Sequence, residues 1–270
     1  MEKKPNRLTG TFERLRKSGE KALIAFITAG DPDMATTVDL ILELERAGAD
    51  IIELGIPFSD PMADGPTIQM SSERALKQGT TLADVIRAVK EVRKKSEVPV
   101  VLFGYYNPVF SYGLERYARD AGSAGVDGTL IVDLPPEEAC ELKEDLDRES
   151  IELIFLLTPT SDEGRIKTVA RVASGFIYFV SVAGVTGARR LLSSDIHGNI
   201  KKVRRFTGLP LGVGFGISTP EQAREACRYS DGVIVGSAIV NIIAANSGKT
   251  LRKKVFDFVS GLKKGITAAR

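Results

Sequence analysis

The chain alternates between short apolar runs and longer segments that mix apolar and polar residues. Eight of the apolar runs are nearly continuous in Val, Ile, Leu and Phe, which is typical of parallel strands covered on both faces. We predict strands at Leu23–Thr28, Asp50–Gly55, Val98–Gly104, Gly128–Asp133, Glu152–Thr158, Phe176–Ser181, Leu211–Gly216 and Gly232–Ser237.

The segments between these runs have helical spacing of their apolar positions. Several have Pro and acidic residues near their starts, as helix N-termini do, and Thr219 can cap a helix whose first turn holds Pro220. We predict helices at Leu8–Lys17, Met34–Ala47, Leu82–Lys95, Pro136–Glu149, Asp162–Ala173, Pro220–Tyr229 and Val240–Lys263.

Strands that alternate with helices favour a (β/α)₈ barrel, the TIM barrel, preceded by one extra N-terminal helix. A doubly wound open sheet is the alternative, but it usually has fewer strands and a glycine-rich turn after the first. The residues that follow Thr28 do not form a G-x-G-x-x-G motif. No linker or low-complexity tract divides the chain, so we expect one domain over residues 1–270.

Composition and charge narrow the kinds of partner and compartment that we expect for the protein. The 270 residues are 43% hydrophobic and 27% charged with a formal net charge of +2, which gives no case for a nucleic-acid partner. No apolar run approaches the roughly 18 residues that span a membrane, and the N-terminus lacks a signal-peptide core. Cys140 and Cys227 stand far apart, so we expect buried thiols and a cytoplasmic protein.

Two carboxyl groups indicate chemistry. Glu53 interrupts an apolar strand between Ile52 and Leu54, a setting that favours the protonated form. Asp64 lies in the Pro-rich and Gly-rich loop that follows, where we expect it to stay ionised. Because barrel enzymes hold their catalytic groups at the C-terminal ends of strands, the pair suits proton transfer. The structural alternatives are a buried ion pair for Glu53 and a turn residue for Asp64.

Glycines follow each of the last three predicted strands. Small residues let backbone N–H groups approach a phosphate, and the loops after strands seven and eight of barrels often do so. The chain has no P-loop, which disfavours nucleotide hydrolysis. The three glycine segments therefore predict a phosphorylated ligand; they are 184–187, 212–216 and 236–237.

These motifs resemble those of the tryptophan synthase alpha subunit family. The similarity extends from the first predicted strand to the last, and the segment 53–69 is the most specific part of it. The resemblance implies a (β/α)₈ barrel with additional loop helices. The matching segments are 29–32, 53–69, 105–107, 184–187, 214–218 and 236–240.

The resemblance implies a lyase of L-tryptophan biosynthesis. The family cleaves indole-3-glycerol phosphate to indole and glyceraldehyde 3-phosphate in a retro-aldol reaction, the alpha reaction. Glu53 matches the general acid and base that acts at indole C3 and at the neighbouring hydroxyl group. Asp64 matches the carboxylate that accepts a hydrogen bond from the indole N–H and stabilises positive charge on the ring.

The resemblance also assigns binding residues by position. For Leu130, ordinary packing inside the barrel is an equal alternative, because such inward positions are normally filled by branched side chains. The substrate-binding matches are Phe26, Ile68, Tyr105, Leu130, Tyr178, Thr186 and Phe215, and the phosphate-binding matches are Gly187, Gly216, Gly236 and Ser237.

The resemblance further implies a partner. Family members work with a beta subunit in an alpha2-beta2 heterotetramer, and Pro57 and Asp60 match positions that face it. Pyridoxal phosphate belongs to that subunit, so we expect no cofactor in this chain. We expect no metal either, since His197 is the only histidine and matches no catalytic position.

Three other functions remain open at this point. The chain could be a binding module that activates its partner, although the presence of both carboxyl groups argues against this. It could be another phosphosugar enzyme with a barrel fold, but synthases of that kind usually need a lysine at a strand end, and the predicted strands contain none. It could also be a lyase that releases indole without a partner.

Overall fold

Eight parallel strands form a closed barrel. The computed structural model describes residues 6–180, 192–214 and 216–267. Each strand is hydrogen-bonded to the next along the chain, and the last pairs with the first. The strands are β1 (Ala22–Thr28), β2 (Ile51–Gly55), β3 (Val100–Gly104), β4 (Gly128–Ile131), β5 (Glu152–Leu157), β6 (Ile177–Val180), β7 (Leu211–Gly214) and β8 (Gly232–Val235).

The barrel confirms the predicted TIM fold and all eight predicted strands. Several strands are shorter than predicted at their C-terminal ends, because the last residues of the apolar runs already belong to the loops above the barrel. Asp133 shows why: it lies past the end of β4, and its carboxylate accepts the N–H of Tyr106 at 2.7 Å instead of staying in the sheet.

Helices cover the outside of the barrel and occur in its loops, as expected. Thr219 caps its helix as predicted and accepts the N–H of Gln222. The helices of the described residues are α1 (Arg7–Ser18), α2 (Met34–Arg46), α3 (Pro66–Lys77), α4 (Leu82–Val92), α5 (Tyr106–Tyr112), α6 (Leu114–Ala124), α7 (Cys140–Arg148), α8 (Glu163–Val172), α9 (Leu192–Arg204), α10 (Pro220–Cys227), α11 (Ser237–Ala244) and α12 (Gly248–Thr267).

Some helix predictions were wrong. The predicted helix at 240–263 is two helices, because the Asn246 side chain bonds the Ile242 carbonyl and the chain turns before α12 begins at Gly248. The helix predicted from Pro136 begins only at Cys140, since a turn at 135–138 precedes it. The sequence reasoning missed α3, α5, α6 and α9.

Helix α1 closes the N-terminal end of the barrel. Leu8 and Phe12 are buried in the cluster that fills the barrel interior, and Phe12 packs on Phe176 with ring centroids 5.6 Å apart. The Asn6 amide donates to the carbonyl oxygen of Asp127 at 2.8 Å, which holds the start of α1 against the sheet. Since α1 fills this end of the barrel, we expect a binding cavity at the opposite end, where the strands have their C-termini.

The expectation for the two cysteines is confirmed for one of them and wrong for the other. Cys227 is buried as expected, but Cys140 is exposed, because α7 turns Leu142 and Leu146 toward the core and Cys140 away from it. His197 lies on the exposed side of α9, where it stacks on the ring of Tyr229. Within the described part of the chain, no helix is both long and apolar enough to cross a membrane.

Candidate active site

A cavity of about 710 Å³ opens at the C-terminal end of the strands. It brings together eight of the residues that the sequence predicted for the site: Phe26, Glu53, Asp64, Ile68, Tyr178, Gly216, Gly236 and Ser237. It is also lined by residues that the sequence reasoning did not single out: Gly65, Pro66, Thr67, Phe103, Val180, Gly214 and Ile234.

Glu53 lies in the middle of β2 and is only 1% exposed. Its strand neighbours in register are Phe26 on β1 and Val101 on β3, so apolar groups surround its base. Neither carboxyl oxygen has a hydrogen-bond partner among the described residues. Burial without a partner raises the pKa of Glu53 to about 8, because an apolar site disfavours the charged form. At neutral pH the group is a protonated acid facing the cavity.

Asp64 lies in the loop between β2 and α3 and is partly buried. A local turn shapes the loop, since the Asp64 N–H donates to the Pro61 carbonyl oxygen at 3.1 Å. The Tyr105 hydroxyl donates to Asp64 Oδ2 at 3.1 Å. Burial raises the pKa of Asp64, while the hydrogen bond from Tyr105 acts in the opposite direction and favours the carboxylate. Two carboxyl groups in different environments therefore line one cavity.

The wall beside Glu53 is aromatic and aliphatic. Phe26 and Phe103 meet edge to face, with ring centroids 5.3 Å apart, and Ile68 of α3 and Ile234 of β8 add aliphatic surface. Strand alternation could have identified Phe103, because it lies two residues after the inward-facing Val101 and side chains on one face recur at every second position. This lining suits a planar apolar group.

Tyr178 of β6 reaches across the cavity toward the two carboxyl groups. Burial of the side chain raises its pKa well above the ordinary value. Glu53 and Asp64 raise it further, because both are ionised at the high pH where a tyrosine loses its proton. The hydroxyl group passes over Gly214 of β7, where a Cβ would lie 2.4 Å from the Tyr178 oxygen. Glycine at position 214 therefore leaves the space that the Tyr178 hydroxyl group occupies, and any side chain there would displace it.

Backbone N–H groups border the other side of the cavity. Gly236 is the N-cap of α11 and has no side-chain cap, and the exposed Ser237 is the first residue of that helix. Gly216 has a φ of +69°, a left-handed conformation that glycine adopts without strain. Free N–H groups at a helix N-terminus favour an anion, so this edge can hold a phosphate.

Some predicted residues lie elsewhere. Leu130 is fully buried in the core inside the barrel and does not line the cavity. Tyr105 is behind Asp64, and it too is absent from the lining. Thr186, Gly187 and Phe215 are outside the described residues.

The predicted partner surface lies beside the cavity, in the loop after β2. Asp60 is exposed, whereas Pro57 is buried. Two apolar side chains near the same end of the barrel are exposed: Met62 at 85% in this loop, and Phe110 at 62% in α5 after β3. Large apolar side chains are usually buried, so these two are candidates for contact with a partner.

No group of three His, Cys, Asp or Glu residues within the described ranges could hold a metal ion. The cavity combines the neutral carboxylic acid of Glu53, the second carboxyl group of Asp64 and an anion-binding edge. Such a site can protonate a flat apolar ring and hold a phosphate at the far end of the same molecule.

Comparisons with known proteins identify the family of the chain. The sequence model of the family described as tryptophan synthase alpha chain matches residues 12–267. The chain is 59% identical over 263 residues to a tryptophan synthase alpha chain of Geotalea uraniireducens, covering 97% of this chain and 98% of the relative. It is 50% identical over 259 residues to the alpha chain of a Thermoanaerobacter species, covering 96% of this chain and 98% of the relative.

Solved structures show the same similarity. Tryptophan synthase subunit alpha from Legionella pneumophila has a TM-score of 0.90 and 39% identity, covering 98% of this chain and 99% of that one. Tryptophan synthase from M. tuberculosis in an open form has a TM-score of 0.88 and 32% identity, covering 97% of this chain and 99% of that one. Fold and sequence agree over nearly the whole length, and the chain belongs to the tryptophan synthase alpha chain family.

Proposed function

We propose that Glu53 and Asp64 carry out the chemistry of this chain. As a member of its family the chain is a lyase of tryptophan biosynthesis, which cleaves indole-3-glycerol phosphate to indole and glyceraldehyde 3-phosphate. The observation that carries our assignment is the buried Glu53 carboxyl group, which faces the cavity without a hydrogen-bond partner among the described residues.

Glu53 acts first as an acid. Since burial keeps it protonated at neutral pH, it can give its proton to indole C3. The ring then carries positive charge, which spreads to the indole nitrogen. Asp64 accepts the hydrogen bond of the indole N–H and stabilises this charge, an effect worth roughly 10²–10³ in rate for one well-placed group.

Glu53 acts next as a base. Its carboxylate takes the proton of the hydroxyl group on the carbon attached to C3. The C–C bond then breaks, its electron pair returns to the ring, and the oxygen becomes the aldehyde oxygen of glyceraldehyde 3-phosphate. The acid is regenerated, so one side chain moves one proton in each direction and the reaction needs no other proton donor.

The walls of the cavity orient the substrate for these steps. The ring lies against Phe26 and Phe103, beside the Glu53 carboxyl group. The phosphate lies on the N–H groups of Gly236 and Ser237, at the N-terminus of α11. Gly216 borders the same edge. In the loops after β6 and β7, the proposal keeps the predicted roles of Gly187 in binding the phosphate and of Thr186 and Phe215 in binding the rest of the substrate.

We also propose that a beta subunit docks at the loop after β2, as part of an alpha2-beta2 heterotetramer. Exposed Met62 and Phe110 support this surface, together with the predicted contact residue Asp60. The similarity to tryptophan synthase of M. tuberculosis supports such a partner. Pyridoxal phosphate would be bound by the beta subunit. The buried position of Pro57 gives it a role in the shape of the loop rather than in direct contact.

The test is indole release from indole-3-glycerol phosphate by the wild type and by Glu53→Gln, each with and without a beta subunit. The amide keeps the shape of the side chain but cannot exchange the proton, so we expect turnover to be lost while substrate still binds. Glu73→Gln, on the exposed face of α3, is the matched control and should keep wild-type turnover. Near-normal turnover of Glu53→Gln would refute the assignment.

The wild-type measurements separate the alternative functions. A chain that releases no indole in either condition would be an activating module rather than an enzyme. A chain that is fully active alone and stays separate from the beta subunit on a sizing column would be an independent lyase.

A further inference from the structure

One tyrosine connects the loop that carries Asp64 to the neighbouring loop of the barrel. Tyr105 comes directly after β3 and is the N-cap of α5. It is only 2% exposed, yet its hydroxyl group makes two hydrogen bonds. It donates to Asp64 Oδ2 at 3.1 Å and accepts the N–H of Ala63 at 3.0 Å. Both bonds go to the end of the loop that leads into α3.

The ring of the same tyrosine contacts the start of that loop. Phe58 packs on Tyr105 with ring centroids 5.2 Å apart and an angle of 31° between the planes. Ser59, Asp60 and Met62 are exposed, so the middle of the loop gains little from burial. Tyr105 therefore contacts the loop at both ends, and it does not line the cavity.

Tyr105 is itself held in place from the next loop. The backbone N–H of the following residue, Tyr106, donates to Asp133 Oδ1 at 2.7 Å, in the loop after β4. Since this bond fixes the first turn of α5, it also fixes the direction of the Tyr105 side chain. Three consecutive loops are joined in this way, with Asp64 at one end of the series.

We propose that Tyr105 is a positioning residue for Asp64 and not a wall of the indole pocket. Its hydroxyl group occupies Oδ2 and turns the carboxylate so that Oδ1 accepts the indole N–H. This inference rests on the proposed role of Asp64. It replaces the contact with substrate that the family resemblance suggested for Tyr105, in agreement with the absence of Tyr105 from the cavity lining.

The test is a double-mutant cycle with Tyr105→Phe, Asp64→Ala and the two together, each assayed for indole release. Tyr105→Phe removes only the hydroxyl group and keeps the ring contact with Phe58. Hydrogen bonds to charged groups have the strength to change kcat by about 10- to 100-fold, and we expect a loss of that size with KM changed much less. In the Asp64→Ala background the same substitution should change kcat by less than about twofold, since no carboxylate remains to be oriented.

Two further measurements sharpen the test. A substrate methylated at the indole nitrogen offers no N–H to Asp64, so the loss caused by Tyr105→Phe should shrink with it. Tyr112→Phe is the matched control, because the Tyr112 hydroxyl group also donates to an aspartate, Asp120, at 2.8 Å but away from the cavity. That variant should keep wild-type kcat with both substrates.

The possible results separate the two proposals. An equal loss from Tyr105→Phe in both backgrounds would mean that the tyrosine only packs the loop, and wild-type kcat in Tyr105→Phe would mean that it does not orient the carboxylate. Either result overturns the role of Tyr105 and leaves Asp64 as assigned. Normal activity of Asp64→Ala would overturn the role of Asp64 and this inference with it.

Discussion

Replacing Glu53 with glutamine should change how the stability of the protein depends on pH. The pKa of Glu53 is raised by burial from an ordinary value of 4.5 to about 8. In the unfolded chain the group loses its proton near the lower value, and in the folded chain near the higher one. Between the two, only the unfolded state has ionised, so rising pH favours unfolding. Glutamine has no proton to lose and removes this dependence.

The expected size follows from the two pKa values, which differ by about 3.5 pH units. Each unit corresponds to roughly 1.4 kcal/mol, so the full effect is ~5 kcal/mol. This is an upper limit, because an ionised carboxylate draws water into the cavity and is then less penalised. The free energy of unfolding of a domain is about 5–15 kcal/mol, so even half of this effect is measurable. The polar amide of glutamine has its own cost in the apolar site, but that cost is the same at every pH.

The assay is urea unfolding of wild type and Glu53→Gln at intervals from pH 5 to pH 9. The free energy of unfolding of the variant, relative to wild type, should rise steadily between the two pKa values and level off above pH 8. Glu73→Gln changes an exposed carboxyl group and should run parallel to wild type. A constant difference between Glu53→Gln and wild type would show that Glu53 is not kept neutral by burial, and the acid role would lose its basis.

Further predictions concern the rest of the cavity. Asp64→Asn should lower kcat by about 10²–10³. The wild type should lose activity similarly on a substrate that is methylated at the indole nitrogen. Equal turnover of the methylated and unmethylated substrates would contradict the N–H contact. Gly236→Val should raise KM, because a Cβ there already lies 3.4 Å from Phe26 and the added methyl groups extend over the anion edge; an unchanged KM would move the phosphate elsewhere. Gly214→Ala should destabilise the fold by roughly 1–3 kcal/mol through collision with the Tyr178 hydroxyl group, measured by urea unfolding; wild-type stability would show that the tyrosine has room to move.

The barrel was predictable because each of its strands is indicated by residues that are adjacent in the sequence. The strands are mostly apolar runs of consecutive residues, and β2 keeps that pattern on both sides of Glu53. Glu53 was the best indicator of function within these strands. Burying a carboxyl group without a partner costs free energy, so its presence there suggests a functional role.

Helix α3 shows where this reasoning failed. It packs on the barrel through small residues, Ser71 and Ala75, so it has no broad apolar stripe. Its contact with β1 includes a buried hydrogen bond of 2.6 Å between the hydroxyl groups of Ser71 and Thr28. Polar and small residues of this kind become buried only because the barrel brings another polar group opposite them, and no pattern within the helix signals it.

The features of the site also fall into two groups, those that the sequence predicts and those that only the structure identifies. The sequence by itself determined the order of the eight strands, the carboxyl groups of β2 and of the loop that follows it, and the glycines after the later strands, because these depend on neighbours along the chain. Only the tertiary structure decided that Ile234 lines the cavity, that Leu130 lies in the core, and that Tyr105 holds Asp64. Those relations join residues of different strands, and their distances are set by the closure of the barrel.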